Sequence, residues 1–135
     1  MKKQTIYLTK YQWQITIFYN VKKQDVYNVI KELEDNHASD KVRRDVFNLL
    51  CGDRPNEGFT YTNARDRKSV VAIGFVDSIY EWIDTIEHEG RHVIQSICDY
   101  YGINPSSEQA AYIEGHLFKQ AVEEFVYSVL RKLRM

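Results

Sequence analysis

The chain has 135 residues, 44% of them apolar and 27% charged, with a net charge of −1 at pH 7. These values exclude intrinsic disorder and suit one domain over residues 1–135, because a chain of this size buries a real core but has little room for a second one. The near-neutral balance excludes a global basic field for nucleic acid or anionic lipid, and no run approaches the roughly 20 apolar residues of a membrane span.

Lys2 and Lys3 are followed by Gln4 and Thr5 rather than an apolar stretch, so no signal peptide is read and a cytoplasmic protein is expected. Thr5–Leu8 and Trp13–Val21 are rich in β-branched and aromatic residues, which predicts two strands. Val26, Val29, Ile30 and Leu33 then recur at helical spacing within 25–35, and Val42, Val46, Leu49 and Leu50 do so within 40–50. Two helices are predicted there, the second stopped near Gly52. A turn around Pro55–Gly58 leads to strands at Phe59–Thr62 and Ser69–Phe75, joined as a hairpin through the polar run NARDRK. Arg54, Arg65, Arg67 and Lys68 lie close in sequence and read as a solvated loop. Cys51 and Cys98 fit neither a disulfide framework nor a C-x-x-C motif and are expected as buried free thiols.

Ser78 with Glu81 three residues later is a capping-box signature and Gly102 a stop signal, so one helix is predicted from Ser78 to Tyr101. Near its middle, His88-Glu89-Gly90-Arg91-His92 reads H-E-x-x-H. Residues four apart on a helix are neighbours, roughly 5–6 Å between Cβ atoms, so both imidazoles reach one tetrahedral ion with the carboxylate beside them. Helical projection places Ile79, Ile83, Ile86, Gly90, Val93, Ile94, Ile97 and Tyr101 on a core stripe. Glu81, Thr85, His88, His92, Gln95 and Asp99 fall on the opposite side, so the histidines are not core residues. Gly90, costly inside a helix, is expected at a close contact with a neighbouring element.

Asn104 as N-cap and Pro105 at the first helical position predict a last helix running to the end of the chain, antiparallel to the motif helix. A catalytic zinc usually takes three protein ligands and keeps a position for water, so a third ligand is sought among Glu108, Glu114 and His116. Glu108 shares a helical face with Ala111, Tyr112 and Gly115, continued by Val122, Val126, Val129 and Leu133; this is read as the packed face, which makes Glu108 the expected ligand. Glu114 projects to the surface. His116 lies between, where it lines the cleft, replaces Glu108 or is simply exposed. Tyr112 and His116 are also the candidate donors to a reaction oxyanion, with packing as the alternative role for Tyr112.

HEGRH followed by EQAAY resembles the zincin metallopeptidases, and within them the gluzincin arrangement in which a later helix supplies a glutamate. The resemblance covers residues 59–117 and is nearest to the short metallopeptidases of bacterial and phage-related genomes. It implies an α+β fold, a minimal zincin-like core with a small antiparallel sheet and about four helices, the last two a long antiparallel pair carrying the metal site. It implies Zn2+ at His88, His92 and Glu108, Glu89 as general base, and a peptide or protein substrate lying along the Ser69–Phe75 strand. Tyr112 stands where larger gluzincins often carry an aspartate that orients a zinc histidine; Asp99 is a candidate for that task. The expected function is therefore that of a zinc-dependent metallopeptidase hydrolase, with a catalytically inactive, zincin-shaped metal-binding regulatory or interaction protein as the alternative.

Overall fold

The computed structural model describes residues 1–52, 57–74, 76 and 78–134, the stretch 128–134 as backbone only. Arg54, the turn before Glu57, the Phe75 end of the predicted strand, and the side chains of Val129 and Leu133 lie outside the described residues. The elements run β1 (Lys2–Leu8), β2 (Trp13–Val21), α1 (Val26–Asp35), α2 (Asp40–Cys51), β3 (Gly58–Asn63), β4 (Lys68–Gly74), α3 (Ile79–Tyr101) and α4 (Glu108–Arg134). This is an α+β fold.

Its four strands form one sheet in the order β1-β2-β4-β3. The predicted hairpin is present as the antiparallel pair β3–β4, and the two predicted N-terminal strands also pair antiparallel, but β2 and β4 pair in parallel, so the sheet is mixed rather than antiparallel. A parallel pair needs a long crossover, and α1 and α2 lie within it. The order also corrects the expected substrate edge. β4 is flanked on both sides, by β2 and β3, and has no free edge; the edge strands are β1 and β3, and β3 lies against the motif helix.

Helices cover both faces of the sheet. Ile15 and Ile17 of β2 and Val71 and Ile73 of β4 pack with α3 and α4, whereas Phe18, Val70 and Ala72 pack with α1 and α2. This two-sided burial is why β2 reads as an almost unbroken apolar run. A register irregularity between Phe18 and Val21, with Asn20 at φ 57°, turns Val21 towards the α1–α2 side.

The end of α1 also anchors β3: the Tyr61 hydroxyl and the Asn63 side-chain amide each donate to Asn36 O at 3.1 Å. Between the sheet's inner strands, the Trp13 indole N–H donates to Ser69 Oγ at 3.0 Å, and Ser69 Oγ lies 2.8 Å from Thr62 Oγ1.

In α3 the buried side chains are Trp82, Ile86, Glu89, Val93, Ile94, Ile97 and Cys98. Ile79, expected on the stripe, is 49% exposed; Trp82 holds the buried place, with its ring centroid 5.9 Å from that of Tyr19 and 4.4 Å from that of Phe125. Tyr101 is exposed and donates its hydroxyl proton to Tyr11 O. Burial pushes the Cys98 thiol up from its ordinary pKa, with help from Asp99, while Cys51 is half-buried.

Helix α4 starts three residues after the expected position. Asn104 instead caps a turn, its Oδ1 accepting from Ser106 N at 2.9 Å, and Ser107 Oγ accepts from Ala110 N at 3.2 Å as the helix begins. α3 and α4 run antiparallel, as shown by the contacts of Arg91 with Glu114 and of Trp82 with Phe125. The buried face of α4 is Ala110, Ile113, Leu117 and Ala121, not the face of Glu108, Ala111, Tyr112 and Gly115. A Cβ on Gly90 would meet only Leu117 Cδ2 at 3.7 Å, an ordinary contact, so close helix approach does not explain that glycine.

Ser69→Ala is expected to lower stability by about 1–3 kcal/mol, because the fully buried Trp13 N–H loses its acceptor. Urea unfolding followed by tryptophan fluorescence measures this as a lowered midpoint with unchanged slope.

Candidate metal centre

The motif helix is cut out of the chain by local chemistry. Ser78, extended at φ −125°, caps the first turn by accepting from Tyr80 N at 3.1 Å, and Gly102 ends the helix in the left-handed region at φ 68°. The N-cap bond thus reaches the second residue of the helix rather than the third that a capping box would use.

Between those ends the core stripe fixes the helix's rotation. His88 and His92 face outward and are exposed, as their projection predicts, with ring centroids 5.0 Å apart and ring planes at 82°. Glu89, one position round the helix, turns towards the sheet and is only 5% exposed. The nearest ligand atoms of His88, Glu89 and His92 all lie within 4.8 Å of one another. Two imidazoles and a carboxylate at that spacing suit a borderline divalent ion such as zinc.

Glu89 is held from the sheet side by β3. Thr60 Oγ1 lies 3.1 Å from Glu89 Oε1 and 3.1 Å from Glu89 O, so its single proton binds the carboxylate or the backbone. The strand comes close enough to do this because residue 58 is glycine. A Cβ there would sit 3.0 Å from Glu89 Cγ, 3.0 Å from Thr85 Cγ2 and 3.1 Å from Ala72 O.

Thr60 and Gly58 do not figure among the residues expected from sequence. Strand alternation carries the signal for Thr60: Phe59 and Tyr61 pack with the α1–α2 core, which leaves Thr60 and Thr62 to the α3 side. A cleft in front of Glu89 and His88 also takes in Glu57, Glu81 and Asp84.

The other expected site residues are elsewhere. Glu108 is exposed and lines a different cleft with Tyr7, Tyr11, Tyr112 and His116. The Tyr112 hydroxyl donates to Glu108 Oε1 at 3.4 Å, and the Gln120 amide lies 2.6 Å from His116 Nε2. Glu108, Tyr112 and His116 therefore cluster with one another, and the structure does not bring them into the His88–Glu89–His92 group. Their face of α4 is turned away because Ala110, Ile113 and Leu117 take the packed side. Glu114, expected at the surface, is half-buried, with Oε1 3.6 Å from Arg91 Nε. Asp99 accepts from Gln95 Nε2 at 2.8 Å along α3.

Gly58→Ala is expected to destabilise the fold by about 1–3 kcal/mol through overpacking between β3, α3 and β4. The same substitution pushes Glu89 off its place; the check is the pair of a lowered unfolding midpoint and changed His88 and His92 ring resonances in NMR spectra.

No protein family, curated protein or solved structure matches this chain, so its function is read from the site's own chemistry.

Proposed function

We propose that the chain is a zinc-dependent metallopeptidase in which His88 and His92 hold the ion and Glu89 handles the proton. The observation that carries this reading is the grouping of His88, Glu89 and His92 ligand atoms within 4.8 Å on one helix, with both rings exposed. When bound, zinc acidifies a water molecule and polarises a substrate carbonyl.

The chain's own residues supply the rest. Glu89 takes the proton of the attacking water and passes it to the departing amine, the ordinary work of a positioned carboxylate. Thr60 keeps that carboxylate oriented, and burial against β3 restricts its swing. The open edge of β3, beside α3, offers main-chain hydrogen bonds to an extended peptide, a mode in which side-chain pockets add selectivity. No helix among the described residues is long and apolar enough to cross a membrane.

A second reading has one observation in its favour. Glu89 belongs to the same 4.8 Å group as the imidazoles, and Glu108 does not. If Glu89 is itself the third ligand, no base remains and the protein is a metal-binding module without hydrolytic activity.

The two readings separate in one set of variants. As a general base, Glu89 in the Glu89→Gln variant leaves stoichiometric zinc in place and lowers peptide hydrolysis by about 10²–10⁴-fold. As a ligand, it gives a variant with weakened zinc affinity. His88→Ala is expected to lose zinc and hydrolysis together; elemental analysis of tag-free protein showing zinc retained in His88→Ala overturns both readings.

A further inference from the structure

At the edge of the sheet opposite β3, a second cleft of about 690 Å³ opens between the end of β1, the turn Thr9–Tyr11 and the first turns of α4. Neither histidine of the motif helix nor Glu89 lines it, so nothing about it depends on the proposed metal chemistry. Its walls are aromatic. Tyr11 stands on the turn, Tyr112 on α4 and Tyr7 at the β1 end, over the buried side chains of Leu8 and Ile113. Tyr112 is 71% exposed and Tyr7 53%. One exposed tyrosine alone is ordinary, but several around one concavity mark a surface that meets a ligand.

The cleft is held in shape by the fold itself. Gln12 N donates to Thr9 O at 3.2 Å and closes the turn, the Tyr101 hydroxyl donates to Tyr11 O, and the Gln109 amide of α4 reaches across to the Tyr11 hydroxyl at 3.1 Å. Lys10 lies over the Tyr11 ring, with Nζ 5.6 Å from its centroid. These bonds decide which polar groups face a ligand. Because the Tyr11 oxygen accepts from Gln109, its own proton points elsewhere. Because the Gln120 amide donates to His116 Nε2, the neutral ring carries its proton on Nδ1. Glu108 accepts from the Tyr112 hydroxyl, and its charge is balanced by that of Lys10, so the cleft complements an uncharged ligand.

Aromatic walls, outward donors and balanced charge together narrow the choice. A sugar or an extended strand presents donors as well as acceptors, whereas a run of prolines presents carbonyls alone, because proline has no N–H. In the polyproline II helix those carbonyls lack internal partners, and such helices dock in aromatic-lined grooves. Their stiffness keeps the entropy lost on binding small, which suits an exposed cleft. We infer that this cleft binds an uncharged proline-rich segment of a partner protein in the polyproline II conformation. Tyr112 is its platform, and the Tyr11 hydroxyl and His116 Nδ1 donate to its carbonyls.

Fluorescence anisotropy on the full chain tests it with two labelled peptides of one length, both capped and uncharged: proline-proline-alanine repeats and glycine-serine repeats. A β-linked glucose oligomer serves as unlabelled competitor. The proline peptide is expected to bind at least about tenfold tighter than the glycine-serine peptide, at low and at high salt alike. In NMR spectra it is expected to shift the backbone amide resonances of residues 9–11 and 108–116. Tyr112→Ala is expected to weaken binding by about tenfold or more and Tyr112→Phe to retain it, while Tyr27→Ala, at a similarly exposed tyrosine of α1, leaves it unchanged. Equal binding of the two peptides, no binding of either, or an affinity lost at high salt overturns the inference. So does displacement by the glucose oligomer, a set of shifted resonances elsewhere on the fold, or a proline preference that survives in Tyr112→Ala.

Discussion

The close passage of β3 across α3 is the constraint on which the site depends. At Gly58 the strand backbone runs so near the helix that a methyl group there would meet Glu89 Cγ and Thr85 Cγ2 at 3.0 Å. That proximity buries Glu89, brings the Thr60 hydroxyl to its carboxylate and forms one wall of the cleft in front of Glu89 and His88. The strand is itself fixed from behind, through Tyr61 and Asn63 on the end of α1, so helices on opposite faces of the sheet are coupled through it.

A helix packed in this way has three differently used sides. Ile86, Val93 and Ile97 bury against the sheet and α4, Glu89 occupies the border with β3, and His88 and His92 remain in solvent. The periodicity of 3.6 residues makes this division unavoidable once the apolar stripe is buried. The two rings are thus open to solvent, while the carboxylate at their side is held by β3. Packing energy thus sets the rotation of α3, and the rotation decides which side chains face solvent.

Much of this was legible from sequence where a single strong period was present. The stripe of α3, the outward histidines, the β3–β4 hairpin and the element boundaries of β2 and α2 follow from local pattern. α4 was harder to phase because it carries two apolar sets. Ala110, Ile113, Leu117 and Ala121 compete with the alternative face of Ala111, Tyr112 and Val126, and small residues on both sides leave the projection undecided. The tertiary fit chose the first set, which turned Glu108 outward with Tyr112 and His116. The parallel pairing of β2 with β4 was also beyond local signals, because it joins two hairpins across a crossover. Thr60 was encoded by strand alternation, yet its partner Glu89 is 29 residues away and only the folded register reveals it.

Anomalous diffraction at the zinc edge, from crystals of the metal-loaded protein, tests the central claim most directly. A metal centre on the motif helix gives a single strong peak bonded to ring nitrogens of both His88 and His92 at about 2.0–2.1 Å, beside the Glu89 carboxylate. A peak at Glu108 and His116 instead, or none at the motif helix under saturating zinc, contradicts it.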